Sequence, residues 1–188
     1  MRIIGIDPGQ YESAYVLVPE IGPLECLYTD NEKIVRRVYG LWSRAHHLAI
    51  EGIEYRESPT GSSTFETCYW IGEFRAIWRI YCQVDLERFR IIKPRTIRQV
   101  LGGNKIKHIL WERYGPGRDK AVGTKKNPGP LYELANYGRI NGTKKATDHL
   151  YNALAVAVTY WELLKQKGEE NVKFTNASDR TTTTKIST

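Results

Sequence analysis

Three places in this 188-residue sequence set polar side chains where catalysis could use them. Asp7 ends the apolar run Ile3-Ile4-Gly5-Ile6 and precedes Pro8-Gly9, so it stands at a strand end just where the chain turns. An acid held there is available to a cation; the plainer alternative is an aspartate bonding its own turn backbone. Glu51 lies in Leu48-Ala49-Ile50-Glu51-Gly52-Ile53-Glu54, which is apolar apart from two glutamates three residues apart. Strand alternation puts Glu51 and Glu54 on opposite faces, so one can look toward a site with Asp7 while the other meets solvent. A charge in a buried strand is costly unless paired or metal-bound, which leaves a salt bridge as the alternative for Glu51. Asp148 and His149 open a C-terminal helical pattern, and Asn152 follows one turn on. Positions three or four apart share a helix face, so Asp148 or His149 can act with Asn152 toward one point. The alternatives are a first-turn aspartate complementing the helix dipole and a hydrogen-bonded histidine.

Oxygen ligands with one imidazole suit Mg²⁺ or Mn²⁺, whereas zinc would want more nitrogen or sulfur. Two such ions ~3.5–4 Å apart hydrolyse phosphodiesters, one activating water and the other stabilising the leaving oxygen. The charge pattern points to the same substrate. The chain carries 28 Lys+Arg against 21 Asp+Glu, a net +7. Residues 88–145 hold fifteen of those basic residues and only three acids, Glu112, Asp119 and Glu133, so the remainder is acidic. Lys93, Arg95, Arg98, Lys105, Lys107, Arg118, Lys120, Lys125, Lys126, Lys144 and Lys145 are the candidates for nucleic-acid contact. They are interleaved with turn-forming Gly and Pro, as in Gly115-Pro116-Gly117-Arg118 and Gly123-Thr124-Lys125-Lys126-Asn127-Pro128. Exposed basic loops of this kind can lie along a sugar–phosphate backbone; the alternative is a solvated lysine-rich surface.

The elements that must position these groups are legible as periodicities. Residues 2–6, 13–18 and 24–29 are three short apolar runs separated by turn residues, an antiparallel meander. Asn31 is expected to cap a helix over 32–45 with Ile34, Val35, Val38, Leu41 and Trp42 on its apolar face. Residues 47–55 read as a fourth strand. A helix over 64–82 buries Phe65, Cys68, Ile71, Phe74, Trp78 and Tyr81 by spacing. A fifth strand over 88–92 precedes short basic helices near 95–101 and 105–114. The last helix runs from 148 to about 165, capped by Thr147, with Leu150, Leu154, Ala157, Trp161 and Leu164 inward. Residues 1–167 thus form one mixed-sheet α/β domain, and 168–188 a polar, flexible tail ending in four threonines.

The length and 41% apolar content suffice for a full core and exclude a disordered chain. No apolar run approaches a membrane span. Three scattered cysteines, Cys26, Cys68 and Cys82, make neither a disulfide framework nor a zinc knuckle. The N-terminal residues meet an acid too early for a secretory leader. An intracellular protein is expected, in the cytoplasm of a bacterium or a phage-infected host.

Gly5-Ile6-Asp7-Pro8-Gly9, then Ala49-Ile50-Glu51-Gly52, then Asp148-His149-Leu150-Tyr151-Asn152-Ala153-Leu154-Ala155 resemble, in order, the motifs of RuvC-type Holliday junction resolvases of the ribonuclease H-like superfamily. The likeness spans residues 1–165 and is nearest to the phage-encoded members. It implies a mixed five-stranded sheet (a three-strand antiparallel meander plus two parallel strands) flanked by helices. It also implies a homodimer making paired nicks across four-way or other branched DNA, with two Mg²⁺ or Mn²⁺ ions. Asp7 corresponds to the first-strand aspartate and Glu51 to the strand-end glutamate. His149 and Asn152 occupy the last helix's ligand positions, commonly Asp or His followed by Asp. Asn152 departs from that pattern, and Asp148 is placed to supply the missing carboxylate. Tyr55 is the candidate for the aromatic wedge that the family carries after the glutamate. Two other readings stand beside this one: a branched-DNA binder with a degenerate metal site, and a YqgF-like ribonuclease.

Overall fold

The structure is a computed structural model that describes residues 1–19, 24–54, 61–82, 88–103, 108, 110–111, 118–141 and 144–178. Its side chains are described over the same residues apart from 81–82, 118–119, 138–141, 144 and 169–178. Five strands form one sheet: β1 (Ile3–Asp7), β2 (Glu12–Val18), β3 (Glu25–Asp30), β4 (His47–Glu51) and β5 (Phe89–Ile92). Their spatial order is β3-β2-β1-β4-β5. β1, β2 and β3 pair antiparallel, while β4 lies parallel to β1 and β5 parallel to β4. This is the meander plus two parallel strands that the sequence predicts.

Alternation along β1 assigns its faces. Ile4 and Ile6 enter one core with Leu48 and Ile50 of β4. Against that core pack helices α1 (Asn31–Leu41) and α2 (Ser62–Cys82), through Ile34, Val38, Leu41, Phe74 and Trp78. Ile3 and Ala49 face the other way, onto a larger core shared with α3 (Pro94–Leu101), α4 (Arg118–Val122), α5 (Tyr132–Asn141) and α6 (Lys144–Ser178). Helix α6 crosses β1 very closely: a Cβ on Gly5 would stand 2.1 Å from the carbonyl oxygen of Ala153 and 2.8 Å from Cβ of Ala157. Gly5, Ala153 and Ala157 are therefore a set of small residues that brings the helix backbone onto the strand.

Several local expectations give way to tertiary context. Asp30, not Asn31, caps α1, taking the Lys33 N–H at 2.9 Å, because Asn31 is turned into the protein. On α2 the buried stripe runs through Phe74 and Trp78, and Phe65 and Cys68 are exposed. That helix is apolar on two sides, so spacing alone selected a mixture of both. The Tyr81 side chain lies outside the described residues. Helix α6 begins at Lys144, which puts Thr147 inside its first turn instead of at its cap. It also continues through Ser178, so the backbone of residues 168–178 is helical. Those residues contain helix-forming Glu and Lys without an apolar stripe, so amphipathic spacing gave no signal for them. The sequence pattern also misses helix α5; among the described side chains its buried anchors are Leu131, just before it, and Leu134, close behind Pro128-Gly129-Pro130. The basic helix expected over 105–114 falls largely outside the described residues. Among the described residues no helix is long and apolar enough to cross a membrane.

Candidate active site

Register decides which glutamate accompanies Asp7. Strands β1 and β4 run parallel with Ile6 opposite Ile50, so Asp7 and Glu51 are the next pair along. Alternation aims both toward the face that α6 covers, as it does Gly5 and Ala49. Glu54 lies past the strand end and pairs instead with Arg98, at 3.2 Å. The sequence left the choice between Glu51 and Glu54 open because period-two alternation gives relative faces only; pairing with β1 supplies the absolute one.

From above, α6 brings His149 and Asn152, three residues apart on one helix face. His149 Nδ1 stands 2.7 Å from Asp7 Oδ2, and Asn152 Nδ2 donates to the same oxygen at 3.2 Å. Asp7 is itself buried. Its bond to Asp7 raises the His149 imidazole above its ordinary pKa against the opposing effect of burial, with the charge of Asp148 adding to the rise and that of Lys145 reducing it. Burial pushes Glu51 up to about 8, reinforced by the charge of Asp7 and a hydrogen bond to it, while Arg98 pulls the other way. Two neighbouring carboxyls therefore resist carrying two charges at once. Asp148 is the fifth residue of α6, whose first turn holds no acid, so the helix dipole does not account for it.

The turn after Asp7 is locked by residues that sequence reading did not single out. The Gly9 N–H donates to Ser13 Oγ at 3.1 Å, and Ser13 Oγ donates to Asn31 Oδ1 at 2.5 Å. Asn31 Nδ2 donates in turn to the carbonyls of Gly9 and Gln10. A Cβ at Gly9 would stand 2.2 Å from the Glu12 carbonyl oxygen, so the turn closes this tightly only on glycine. Tyr28 of β3 stacks on His149, with ring centroids 5.3 Å apart and planes 9° from parallel. Its hydroxyl, pushed up to about 12 by burial and by Glu12, donates to Glu12 Oε2 at 2.9 Å. The signal for Tyr28 lay in register: Asp7 pairs with Ala14 and Ala14 with Tyr28, one row across the sheet.

The donor set fits a hard divalent ion: two carboxylates, an amide and an imidazole. A cation would offset both the burial and the neighbouring Asp7 charge that keep Glu51 protonated. Among the described residues, however, no three His, Cys, Asp or Glu side chains converge as a ready cage. His149 and Asn152 close on Asp7 itself.

Of the basic candidates, Lys93, Arg95, Arg98, Lys120, Lys125, Lys126 and Lys145 are exposed. Arg95 and Arg98 ride the outer face of α3 while Ile97 and Leu101 are buried beneath. Lys125 and Lys126 top a tight loop closed by a bridge between Gly123 and Pro128. Arg118 and Lys144 belong to α4 and α6, with side chains outside the described set, and Tyr55, Lys105 and Lys107 lie outside the described residues altogether.

No family model matches this sequence, and no curated protein matches it. Solved structures do. The chain superposes on Thermus thermophilus RuvC in complex with a Holliday junction substrate with a TM-score of 0.59 at 16% identity, covering 88% of this chain and 96% of that one. A second Thermus thermophilus RuvC structure gives a TM-score of 0.52 at 17% identity, covering 89% and 97%. The yeast mitochondrial Holliday junction resolvase Ydc2 is matched more loosely, at 0.48 and 13%, over 85% and 77%. The chain has the fold of RuvC, a ribonuclease H-like mixed sheet with the C-terminal helix laid across its first strand.

Proposed function

We propose that this protein is a divalent-metal-dependent endonuclease that hydrolyses phosphodiesters in branched DNA, four-way junctions above all. The observation that carries the reading is the convergence of Asp7, Glu51, His149 and Asn152 from β1, β4 and α6 on a RuvC fold. Asp7 and Glu51, with His149 and Asn152, would hold Mg²⁺ or Mn²⁺. When bound, the ions supply an activated water and a counter-charge for the leaving oxygen. The chain's own groups do the rest. Asp7, buried and doubly hydrogen-bonded through one oxygen, is the fixed point of the site. With Nδ1 of His149 committed to Asp7, Nε2 is the ring nitrogen that remains to accept a metal or a proton. Arg98, close enough to depress Glu51 and steadied by Glu54, offers a cation to the scissile phosphate from the Glu51 side. Lys93, Arg95, Lys120, Lys125, Lys126 and Lys145 extend that charge away from the site along the DNA arms.

Paired nicks require two sites, and α2 offers a face for a second copy. Phe65, Tyr69 and Ile80 are 67%, 57% and 60% exposed, and with Ala76 they fall on one stripe of the helix opposite its buried side. A second reading, a junction binder that does not cut, is favoured by one observation: Asn152 is neutral and donates to Asp7. Incubation of the protein with an end-labelled four-way junction, a flap and a linear duplex separates the readings. With Mg²⁺ or Mn²⁺ the wild type should nick the junction symmetrically, and Asp7→Asn should bind without cutting. A gel shift with no cleavage in either metal would overturn the nuclease and leave the binder. Equal cutting of flaps would widen the substrate to branched DNA generally.

A further inference from the structure

We infer that Tyr28 is a positioning residue for His149: its ring, laid flat on the imidazole and anchored at both ends, keeps Nδ1 of His149 on Asp7. The inference rests on the reading of His149 as part of the metal site.

Three contacts converge on Tyr28. Its ring lies 5.3 Å from that of His149 and within 9° of parallel, an offset stack. Its hydroxyl is held by Glu12 on the neighbouring strand, at 2.9 Å. Its backbone is held from the other side. β3 is the sheet's edge strand, so the outward N–H and C=O of Tyr28 have no strand to pair with. The hydroxyl of Tyr137 on α5 takes both places, accepting from the Tyr28 N–H at 3.0 Å and donating to its carbonyl at 2.9 Å. This bond joins residues 109 apart in sequence and clamps the strand at the one residue whose ring meets His149.

The sheet also leaves room for that ring. Asp7, Ala14 and Tyr28 form one lateral row across β1, β2 and β3. Ala14 in the middle carries only a methyl group, so the tyrosine ring leans over it toward the helix above Asp7. A histidine ring torsion is soft and roughly two-fold, and one hydrogen bond through Nδ1 does not fix the ring plane. A flat neighbour fixed at hydroxyl and backbone does, by excluding the rotated ring. Hydrogen-bonding partners that orient a metal-binding histidine change metal affinity by roughly 10–100-fold, and a stack acting on ring orientation alone falls at the low end of that range.

The test uses full-length protein with histidine ring labels for NMR, together with Mn²⁺ titration calorimetry. His149→Gln assigns the His149 resonances and serves as the metal-site control. In the wild type the ring protons of His149 should be displaced upfield by the tyrosine. Tyr28→Leu should abolish that displacement and lower Mn²⁺ affinity by about tenfold, while Tyr28→Phe, which keeps the stack and the backbone clamp but loses the Glu12 anchor, should retain the displacement and fall between the two in affinity. Tyr28→Thr, suited to an edge strand, supplies the same contrast if the leucine variant does not fold. Wild-type Mn²⁺ affinity in Tyr28→Leu would overturn the inference and reduce Tyr28 to edge packing whatever the ring-proton shift, because deleting the ring removes its ring current by itself. If His149→Gln itself leaves Mn²⁺ affinity unchanged, the metal-site reading falls, and the ¹⁵N signal of His149 Nδ1 then decides the role of Tyr28: a hydrogen-bonded Nδ1 signal unchanged in Tyr28→Leu would overturn it.

Discussion

Replacing Gly5 by alanine should damage both stability and catalysis, and the size of the effect follows from one contact. The new methyl would stand 2.1 Å from the Ala153 carbonyl oxygen and 2.8 Å from Cβ of Ala157, both on α6. Ordinary van der Waals contact begins near 3.4 Å, so the helix and strand must separate by about 1.3 Å. Overpacking by one methyl typically costs about 1–3 kcal/mol, and here the obstacle is backbone that cannot rotate away, which puts the cost at the upper end. For a domain of this size that corresponds to a fall of roughly 6–12 °C in Tm. The same displacement carries His149 and Asn152 away from Asp7, because Asn152 immediately precedes Ala153. A misplacement of about 1 Å costs on the order of 100-fold in rate, so junction nicking should drop by that factor while junction binding persists. Gly40→Ala is the matched control: nothing lies within 4 Å of its Cβ, and an alanine within a helix stabilises by roughly 0.5–1 kcal/mol. Scanning calorimetry and a single-turnover nicking assay on the three proteins read both effects. Wild-type melting and wild-type nicking in Gly5→Ala would refute the claim that strand–helix approach sets the site.

Asn152→Asp should move two properties in opposite directions. The metal-free protein loses about 1–3 kcal/mol, because a hydrogen-bond donor to Asp7 becomes a second negative charge, while Mn²⁺ affinity measured by calorimetry rises. An unchanged Mn²⁺ affinity would remove Asn152 from the metal site. The metal-free protein should lose stability as pH rises. His149, raised by its Asp7 bond, contributes fully below the ordinary imidazole range and loses that contribution as pH climbs through its folded value; Glu51, raised to about 8, loses its own between the ordinary carboxylate range and about 8. Bound metal must displace those protons, so the gain in Tm from Mn²⁺ should grow between roughly pH 6 and pH 9, and a pH-independent gain would contradict the assignment. Phe65→Glu combined with Ile80→Glu should shift the particle mass in sedimentation from dimer to monomer and lower Tm only by the lost association, so that the Tm values of the two proteins converge on dilution. A monomeric wild type would refute the α2 interface.

What the sequence made legible was whatever a short window determines. Asp7 at a strand end, the run around Glu51, and His149 with Asn152 one turn apart are local patterns, and the structure brings all four residues together. What stayed illegible depends on pairing across the sheet. The choice of Glu51 over Glu54 needed the register of β4 against β1, and Tyr28 needed the row that joins it to Asp7 through Ala14. Asn31 looked like a helix cap because its type and position fit one. It is instead buried under the turn that follows Asp7, a role that no local pattern distinguishes from capping. Helix α2 misled for a related reason: with apolar residues on both sides, periodicity cannot tell the face that meets the sheet from the face left outward.

Asn152 is where sequence and geometry give the same residue opposite meanings. Read against a carboxylate pattern, it is a ligand lost. In the folded site it is a donor: its Nδ2 and His149 Nδ1 meet the same oxygen of Asp7, and a carboxylate at 152 could not supply that bond. Burial raises Glu51 to about 8, and the neighbouring charge of Asp7 adds to the rise. A third carboxylate would deepen that repulsion whenever metal is absent. The amide therefore exchanges some attraction for a cation for a site that is ordered before the cation arrives, with Asp7 fixed by two partners from one face of α6. On this view the neutral residue does not by itself mark a dead site. It shifts the balance toward preorganisation: the negative charge that draws an ion then comes from Asp7 and Glu51 alone, with His149 adding a neutral nitrogen donor.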